Sequence, residues 1–200
     1  MKCRPLPREF FERPTTAVAR ALIGTFLEST LGGRRCVGRV VETEAYLSRG
    51  DEASHSRSGP TARNRSMFLA AGHAYVYFTY GMHHCFNVVT GPEGVGEAVL
   101  VRALEPVLGA DVMRARRGRD AERDLCSGPA KLVQALAIER AHDGHSLASR
   151  PLRLLTRDSF AESFGAQRRL AVDAGARIGI RRSTELPLRF CLRGSRFVSR

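Results

Sequence analysis

Lysine is almost absent from this chain, which contains 2 lysines and 30 arginines among its 200 residues. Because acidic residues number only 20, the formal net charge is +12. Guanidinium groups bind phosphates through two parallel hydrogen bonds and also stack on bases. The charge therefore favours a nucleic-acid partner, although a genome that encodes arginine in place of lysine would produce the same composition.

Several other signatures are missing. No apolar run approaches the roughly 20 residues that a membrane-spanning helix needs, and the N-terminal residues lack the apolar segment of a secretory signal. We therefore expect a cytoplasmic protein with no membrane partner. The 5 cysteines are scattered without any Cys-x-x-Cys pair, which excludes zinc ribbons and thioredoxin motifs. The zinc-deaminase signature is absent as well.

Strand patterns and turn residues dominate the remaining sequence. A hydrophobic content of 43% suits one compact domain over residues 1–200, and no repeat or linker divides it. Alternating apolar positions and glycine-containing turns predict two hairpins and three further short strands. The predicted hairpins pair 25–30 with 36–46 and 75–80 with 84–90, and the other strands cover 98–104, 177–180 and 188–192.

Fewer segments have a helical pattern. Helices are predicted over 17–23 with Thr16 as the N-cap, over 110–117, and from Ser127 onward, where Gly128 and Pro129 would form the first turn. Residues 157–175 are polar and are expected to be mobile. The mixture predicts an α+β fold, in which an antiparallel sheet of hairpins is surrounded by helices.

The strand at 36–46 carries two glutamates among apolar residues. Because alternate residues of a strand share a face, Glu42, Glu44 and Tyr46 should lie on one side, and Tyr75 and Tyr77 should share a face of another strand. Buried glutamates are costly unless they have a partner or a role. Three interpretations remain open at this point: a solvated face paired with Arg39, a general base, or a Mg²⁺ ligand pair as in nucleases.

Three other features suggest contacts with a ligand. The turn at Tyr80, Met82 and His83 exposes large side chains, which suits a wedge inserted into a DNA groove as well as a hairpin end folded onto the core. Ser127 and Lys131 would place a phosphate site at a helix N-terminus, or they form a routine cap. Neighbouring histidines at 83 and 84 would point to opposite faces of a strand, so we predict no metal site.

Taken together, these segments resemble the alkyladenine (3-methyladenine) DNA glycosylase family. The matching segments occur in family order over about residues 9–192, which makes a chance match very improbable. They are Glu-Phe-Phe near 9, Val-Glu-Thr-Glu-Ala-Tyr (41–46), Asp-Glu-Ala-Ser-His-Ser (51–56), Arg-Asn-Arg-Ser-Met-Phe (63–68), Tyr-Val-Tyr-Phe-Thr-Tyr-Gly-Met (75–82), Arg-Ala-Leu-Glu-Pro (102–106), Leu-Cys-Ser-Gly-Pro-Ala-Lys-Leu (125–132) and Arg-Ile-Gly-Ile (177–180).

The resemblance implies a monomeric, monofunctional glycosylase that needs no metal or organic cofactor. Its members flip a damaged purine out of double-stranded DNA and hydrolyse the bond from base to sugar. The catalytic acid of the family pattern falls on Glu44, and Arg102 matches a residue beside the catalytic water and the DNA backbone. The remaining matches are base-binding positions at Tyr46, His55, Tyr77, Asn87 and Leu100, and DNA-binding positions at Tyr80, Met82, His83, Ser127 and Lys131.

The chain departs from the family pattern within the second hairpin. His83 stands where better-known relatives carry an aromatic residue, and Phe86 stands where they often carry methionine. These departures concern the groove contacts and the range of lesions. Two rival functions are a catalytically silent damaged-DNA-binding module and a Mg²⁺-dependent nuclease that would use Glu42, Glu44 and Asp51.

Overall fold

The structure, a computed structural model, describes residues 3–79, 83–164 and 170–199. Across these residues eight strands form one antiparallel sheet. The strands are β1 (Phe26–Ser29), β2 (Cys36–Tyr46), β3 (Ala74–Thr79), β4 (His83–Thr90), β5 (Glu97–Leu108), β6 (Leu152–Leu155), β7 (Val172–Gly175) and β8 (Arg189–Leu192). Their spatial order is β3-β4-β5-β2-β1-β6, while β8 pairs with both β2 and β7.

Short helices cover the sheet. They are α1 (Arg8–Phe11), α2 (Thr15–Leu22), α3 (Ala110–Arg117), α4 (Arg123–Cys126), α5 (Pro129–Ala135) and α6 (Ala161–Phe164), with 3₁₀ turns at Leu31–Gly33, His55–Ser58, Arg65–Phe68, Arg140–His142 and Arg157–Phe160. Within the described ranges, none of the helices is long and apolar enough to cross a membrane. The expected α+β fold, a single compact domain of antiparallel strands and surrounding helices, is confirmed.

Strand β2 is the centre of the sheet. It pairs with β1 near its start, with β5 along its length, and with β8 from Glu42 to Glu44. Residues 42–44 therefore have strands on both sides, and their side chains are also fully buried. The Thr43 hydroxyl donates to the Ala19 carbonyl of α2 at 2.8 Å, which joins the helical layer to this part of the strand.

Both hairpins lie where the sequence predicts them. β1 pairs with β2, and β3 pairs with β4 in a register that ends at Thr79 opposite His83. The tip of the second hairpin, which includes Tyr80 and Met82, lies outside the described residues, so its insertion into DNA stays a prediction.

Two predicted helix starts are wrong. α2 begins at Thr15 after Pro14, and Thr16 is inside the helix instead of capping it. α5 begins at Pro129 instead of Ser127, because the backbone at Gly128 is extended and proline suits the first helical position. Ser127 follows the end of α4.

One prediction for the C-terminal third is also wrong. Residues 177–180 form no strand, since the Ile178 backbone N–H donates to the Glu44 carboxylate instead of to a neighbouring strand, and the strand of this region is β7. The segment 157–175 contains a 3₁₀ turn, α6 and β7 among its described residues, and its mobility stays a prediction. Phe160 and Phe164 lie against Phe26 of β1, and this apolar contact joins α6 and the turn before it to the sheet.

Candidate active site

Glu44 is fully buried in the middle of the sheet. One carboxylate oxygen, Oε2, accepts the Tyr46 hydroxyl proton at 2.9 Å. The other, Oε1, accepts the Ile178 backbone N–H at 2.8 Å and lies 3.3 Å from Arg102 Nη1. The carboxylate is therefore fixed by donors from three separate parts of the chain, and the interpretation as a solvated strand face is wrong.

Glu42 is also fully buried, but it has a different set of partners. Its Oε1 accepts from Arg102 Nε at 3.2 Å and from Arg189 Nε at 2.6 Å. The Ser199 backbone N–H and hydroxyl donate to the two oxygens at 2.7 and 2.9 Å. Three of these donors converge on Oε1 and one binds Oε2, so two arginines and Ser199 make this carboxylate a structural ion-pair centre. Arg102 reaches both glutamates, so they lie on the same side of β2, as alternation predicts.

A cavity of about 720 Å³ lies beside Glu44. We call it the aromatic pocket. Glu44 does not line it, but the three residues that bind its carboxylate do: Tyr46, Arg102 and Ile178. The structure brings every predicted base-binding residue to this cavity, together with Arg102; they are Tyr46, His55, Tyr77, Asn87 and Leu100.

His55, Tyr75 and Tyr77 form one continuous wall of the aromatic pocket. The ring centroids of His55 and Tyr77 are 4.6 Å apart at an interplanar angle of 73°, and those of Tyr75 and Tyr77 are 5.3 Å apart. His55 Nδ1 lies 2.8 Å from the Tyr75 hydroxyl. Since the His55 and Tyr77 rings are in edge-to-face contact, a flat ligand cannot lie between them.

Tyr46 is held in a single orientation. Its hydroxyl donates to Glu44, and the guanidinium carbon of Arg177 lies 4.7 Å from the centre of its ring. Burial and the neighbouring Glu44 charge raise the pKa of Tyr46 well above its usual value, so the hydroxyl stays protonated. With Arg177 against one face of the ring, the opposite face is the one available for stacking.

The neutral state of His55 leads to a testable prediction. Desolvation and, secondarily, the Arg63 charge lower its pKa from 6.5. The unfolded chain then binds more protons than the folded one, so this contribution to stability is complete above about pH 6.5 and decreases as the pH falls towards the lowered pKa. We expect an NMR titration to give a His55 pKa below 6.5.

Two variants of exposed arginines separate the causes of this shift. Arg63→Gln should raise the pKa of His55 towards its ordinary value, because it removes the charge that opposes protonation. Arg65→Gln, which removes another exposed arginine, serves as the matched control and should have the smaller effect. A wild-type His55 that titrates at or above its ordinary value would contradict the prediction.

A second cavity of about 390 Å³ adjoins the aromatic pocket, and Thr79, Cys85, Arg102 and Pro129 line both. The predicted DNA-binding residues His83, Ser127 and Lys131 line this second cavity. Lys131 Nζ lies 3.3 Å from the Ser127 hydroxyl and 3.6 Å from Asp124. The structure thus groups these three residues beside the aromatic pocket, while Tyr80 and Met82 lie outside the described residues.

The pairing of Asp51 with Arg177 was missed by sequence reasoning, and Asn64 makes a second contribution to the site. Asp51 and Arg177 form a buried, two-bond ion pair with distances of 2.7 and 2.6 Å. Asn64 donates to the backbone carbonyls of His55 and Gly59 and so orders the loop that carries His55. The only indication in the sequence that Asp51 and Arg177 contribute to the site is that each lies in a segment matching the family. Nothing in their spacing indicates that the two side chains are in contact.

The carboxylates proposed for a nuclease centre do not converge. Glu42 and Glu44 share Arg102, whereas Asp51 pairs with Arg177. In the part of the chain that the structure describes, no group of three histidine, cysteine, aspartate or glutamate side chains is arranged to hold a metal ion.

Comparison with known proteins finds relatives over nearly the whole chain. The profile of the methylpurine-DNA glycosylase family matches residues 9–196. A protein of Methanoculleus marisnigri is 53% identical over 199 residues, which cover 98% of each chain. A protein of Carboxydothermus hydrogenoformans is 46% identical over 98% of each chain, and one of Rhizobium meliloti is 49% identical over 96% of this chain and 95% of its own.

The names of these three relatives provisionally assign them as 3-methyladenine DNA glycosylases. DNA glycosylases are hydrolases that act on the N-glycosidic bond. The profile match covers nearly the whole chain, and the aromatic pocket with the buried Glu44 lies within it. This chain belongs to the methylpurine-DNA glycosylase family.

Proposed function

We propose that this protein releases alkylated purines of the 3-methyladenine type, and deaminated purines, from double-stranded DNA after flipping the damaged nucleotide into the aromatic pocket. The observation that carries the proposal is the position of Glu44, which is fixed directly beside a pocket of neutral aromatic rings. A base-excising hydrolase needs both parts, namely a surface on which to stack a purine and a carboxylate that acts on water.

The pocket walls favour a flat, positively charged ring. Alkylation at a ring nitrogen makes a purine cationic, and a cation over an aromatic face is stabilised by about 0.5–2 kcal/mol when it is desolvated. Tyr46 would stack on one side of the base, and the wall of Tyr77 and His55 would lie on the other. The lowered pKa of His55 keeps this wall uncharged at neutral pH, so it does not repel the lesion.

Glu44 supplies the general base in this mechanism. A carboxylate has about four lone-pair sites, and Tyr46, Ile178 and Arg102 occupy three of those on Glu44. The fourth would accept a proton from water as the water oxygen bonds to the sugar C1′ and the bond from C1′ to the base nitrogen breaks. The electron pair of that bond leaves with the base, which neutralises the charge of an alkylated purine, whereas a neutral deaminated base leaves as an anion and takes up a proton from solvent. The negative charge of Glu44 also stabilises oxocarbenium character at C1′.

Flipping would involve the hairpin of β3 and β4. Extruding a nucleotide costs a few kcal/mol, and the cost is lowest at damaged or mismatched pairs. Tyr80, the position matched to the side chain that fills the gap, lies between the described ends of these strands. Thr79 and His83 at those ends line the second cavity, beside which the DNA backbone would pass.

A panel of duplexes, each with a single lesion, tests the proposal. The lesions are 3-methyladenine, 7-methylguanine, hypoxanthine and ethenoadenine, the undamaged duplex is the control, and the product is an abasic site that alkali converts to a strand break. We expect alkali-dependent breaks at one or more lesions, no break before alkali, and the same rates with EDTA present.

Two other outcomes would overturn the proposal in distinguishable ways. Tight binding to damaged duplex without any base release would make the protein a damaged-DNA-binding module. Strand breaks that need no alkali and disappear with EDTA would make it a Mg²⁺-dependent nuclease.

A further inference from the structure

The ion pair of Asp51 and Arg177 takes no part in the mechanism above, yet it lies next to the aromatic pocket. Both side chains are fully buried, and the guanidinium donates to both carboxylate oxygens at 2.7 and 2.6 Å. Desolvation opposes the charge on Arg177, but its hydrogen bonds to Asp51 and the negative charges of Asp51 and Glu44 together outweigh it and raise the pKa, so the guanidinium stays protonated. Removing a buried charge of either sign would therefore leave the other uncompensated.

The pair lies directly behind the stacking surface. Arg177 covers the face of Tyr46 opposite the proposed base, with 4.7 Å between the guanidinium carbon and the ring centre. It also donates to the Ala45 carbonyl at 3.0 Å, which fixes it to the strand that carries Tyr46. Asp51 is held in turn by the backbone N–H groups of Leu47 and Ala53 at 3.0 and 3.1 Å.

A cation in this position would weaken the pocket for its substrate. A cation on one face of an aromatic ring weakens the attraction of the ring quadrupole for a second cation on the other face. It also repels a cationic base directly through space. Asp51 cancels this charge at close range. The two groups together give a rigid support behind Tyr46 with no net charge.

We infer that the Asp51–Arg177 pair determines the charge selectivity of the aromatic pocket, with Asp51 neutralising Arg177 so that a cationic purine can stack on Tyr46. The inference rests on the proposed function, because it assumes that a purine occupies this face of Tyr46. Both residues act through Tyr46 and are positioning residues. A support that was only mechanical would affect cationic and neutral bases equally, whereas a charge effect changes their ratio.

The experiment measures the affinity for duplexes containing cationic 7-methylguanine or neutral hypoxanthine in the same sequence context. All variants carry Glu44→Gln, so that base release does not interfere and a value is obtained for every lesion. Losing a unit charge about 10 Å from the base, at an effective dielectric constant of about 20, changes affinity on the order of tenfold. We expect Asp51→Asn to lower the preference for the cationic lesion by this factor.

Three further variants show whether charge is the cause. Arg177→Gln should shift the preference towards the cationic lesion, because it leaves the Asp51 carboxylate behind Tyr46 without its counter-charge. The double variant Asp51→Asn/Arg177→Gln has no net charge and should return the preference to within about threefold of the parent. Glu52→Gln removes the neighbouring carboxylate, which is 65% exposed, and should change the preference less because solvent screens it.

Several results would overturn the inference. One is an Asp51→Asn protein that binds both lesions with equally reduced affinity, and another is a double variant that does not restore the preference. If thermal melts show that Asp51→Asn does not fold, an unchanged preference in Arg177→Gln overturns it as well. Failure of the proposed function would be recognised separately, because the protein with Glu44 intact would then release no base from any lesion duplex.

Discussion

Replacing Glu44 by glutamine is expected to reduce base release by about 10²- to 10⁴-fold, the usual effect of losing a general base, while the affinity for damaged duplex stays near the wild-type value. The amide fits the same space. The amide oxygen can still accept a hydrogen bond from the Ile178 backbone N–H. The NH₂ group can donate a hydrogen bond to the Tyr46 hydroxyl oxygen once the hydroxyl proton has rotated away. Single-turnover excision rates and equilibrium binding to the same lesion duplex measure the two quantities.

This prediction tests whether Glu44, and not the other glutamate of β2, is the general base. If Glu44→Gln excised the base within a few-fold of wild type, Glu44 would not be the base. The stability of the variant must be measured in parallel, since a destabilised protein would lose both binding and base release. A variant that keeps its melting temperature and its affinity but not its rate assigns the loss to proton transfer.

Replacing Glu42 by alanine is expected to reduce the free energy of unfolding by about 3–5 kcal/mol, as observed when one partner of a buried ion pair is removed. The loss leaves Arg102 and Arg189 without their shared carboxylate and removes the acceptor of both Ser199 donors. Urea-induced unfolding provides the measurement, with the slope compared between variants to confirm that the same surface is exposed.

A surface ion pair supplies the control for this variant. Glu12 binds Arg8 at 2.8 Å one helical turn away, but their side chains are 45% and 64% exposed. Glu12→Ala should therefore change stability by no more than about 0.5 kcal/mol. Equal effects of Glu42→Ala and Glu12→Ala would show that the buried centre contributes little to stability, and Glu42 would then have no structural role.

The sequence was most informative where local patterns determine structure. Alternation in β2 and in the hairpin of β3 and β4 predicts which side chains share a face, and those side chains are the ones that the structure gathers around the aromatic pocket. The strand patterns placed Glu44 with Tyr46 on one strand and Tyr75 with Tyr77 on another, but only the resemblance to the family implied that the two groups share one site.

Contacts between distant, irregular segments could not be predicted in this way. Arg177 and Asp51 are separated by 126 positions, and neither belongs to a strand or helix, so no periodicity links them. The two isoleucines in residues 177–180 suggested a strand. The backbone N–H of Ile178, however, donates to the Glu44 carboxylate and not to a neighbouring strand. The start of α5 was misplaced for a local reason, since Ser127 is a good capping residue that the extended Gly128 separates from the helix.

The donors that hold Glu42 and Glu44 bear on the order of events during folding. Ile178, Arg189 and Ser199 reach these carboxylates from 134 to 157 positions away along the chain. Contacts of such long sequence separation form late, because loop closure precedes any gain in free energy. We therefore expect a nascent chain to remain inactive until residues 178–199 have docked, and local opening of these residues to inactivate the enzyme before the rest of the sheet unfolds.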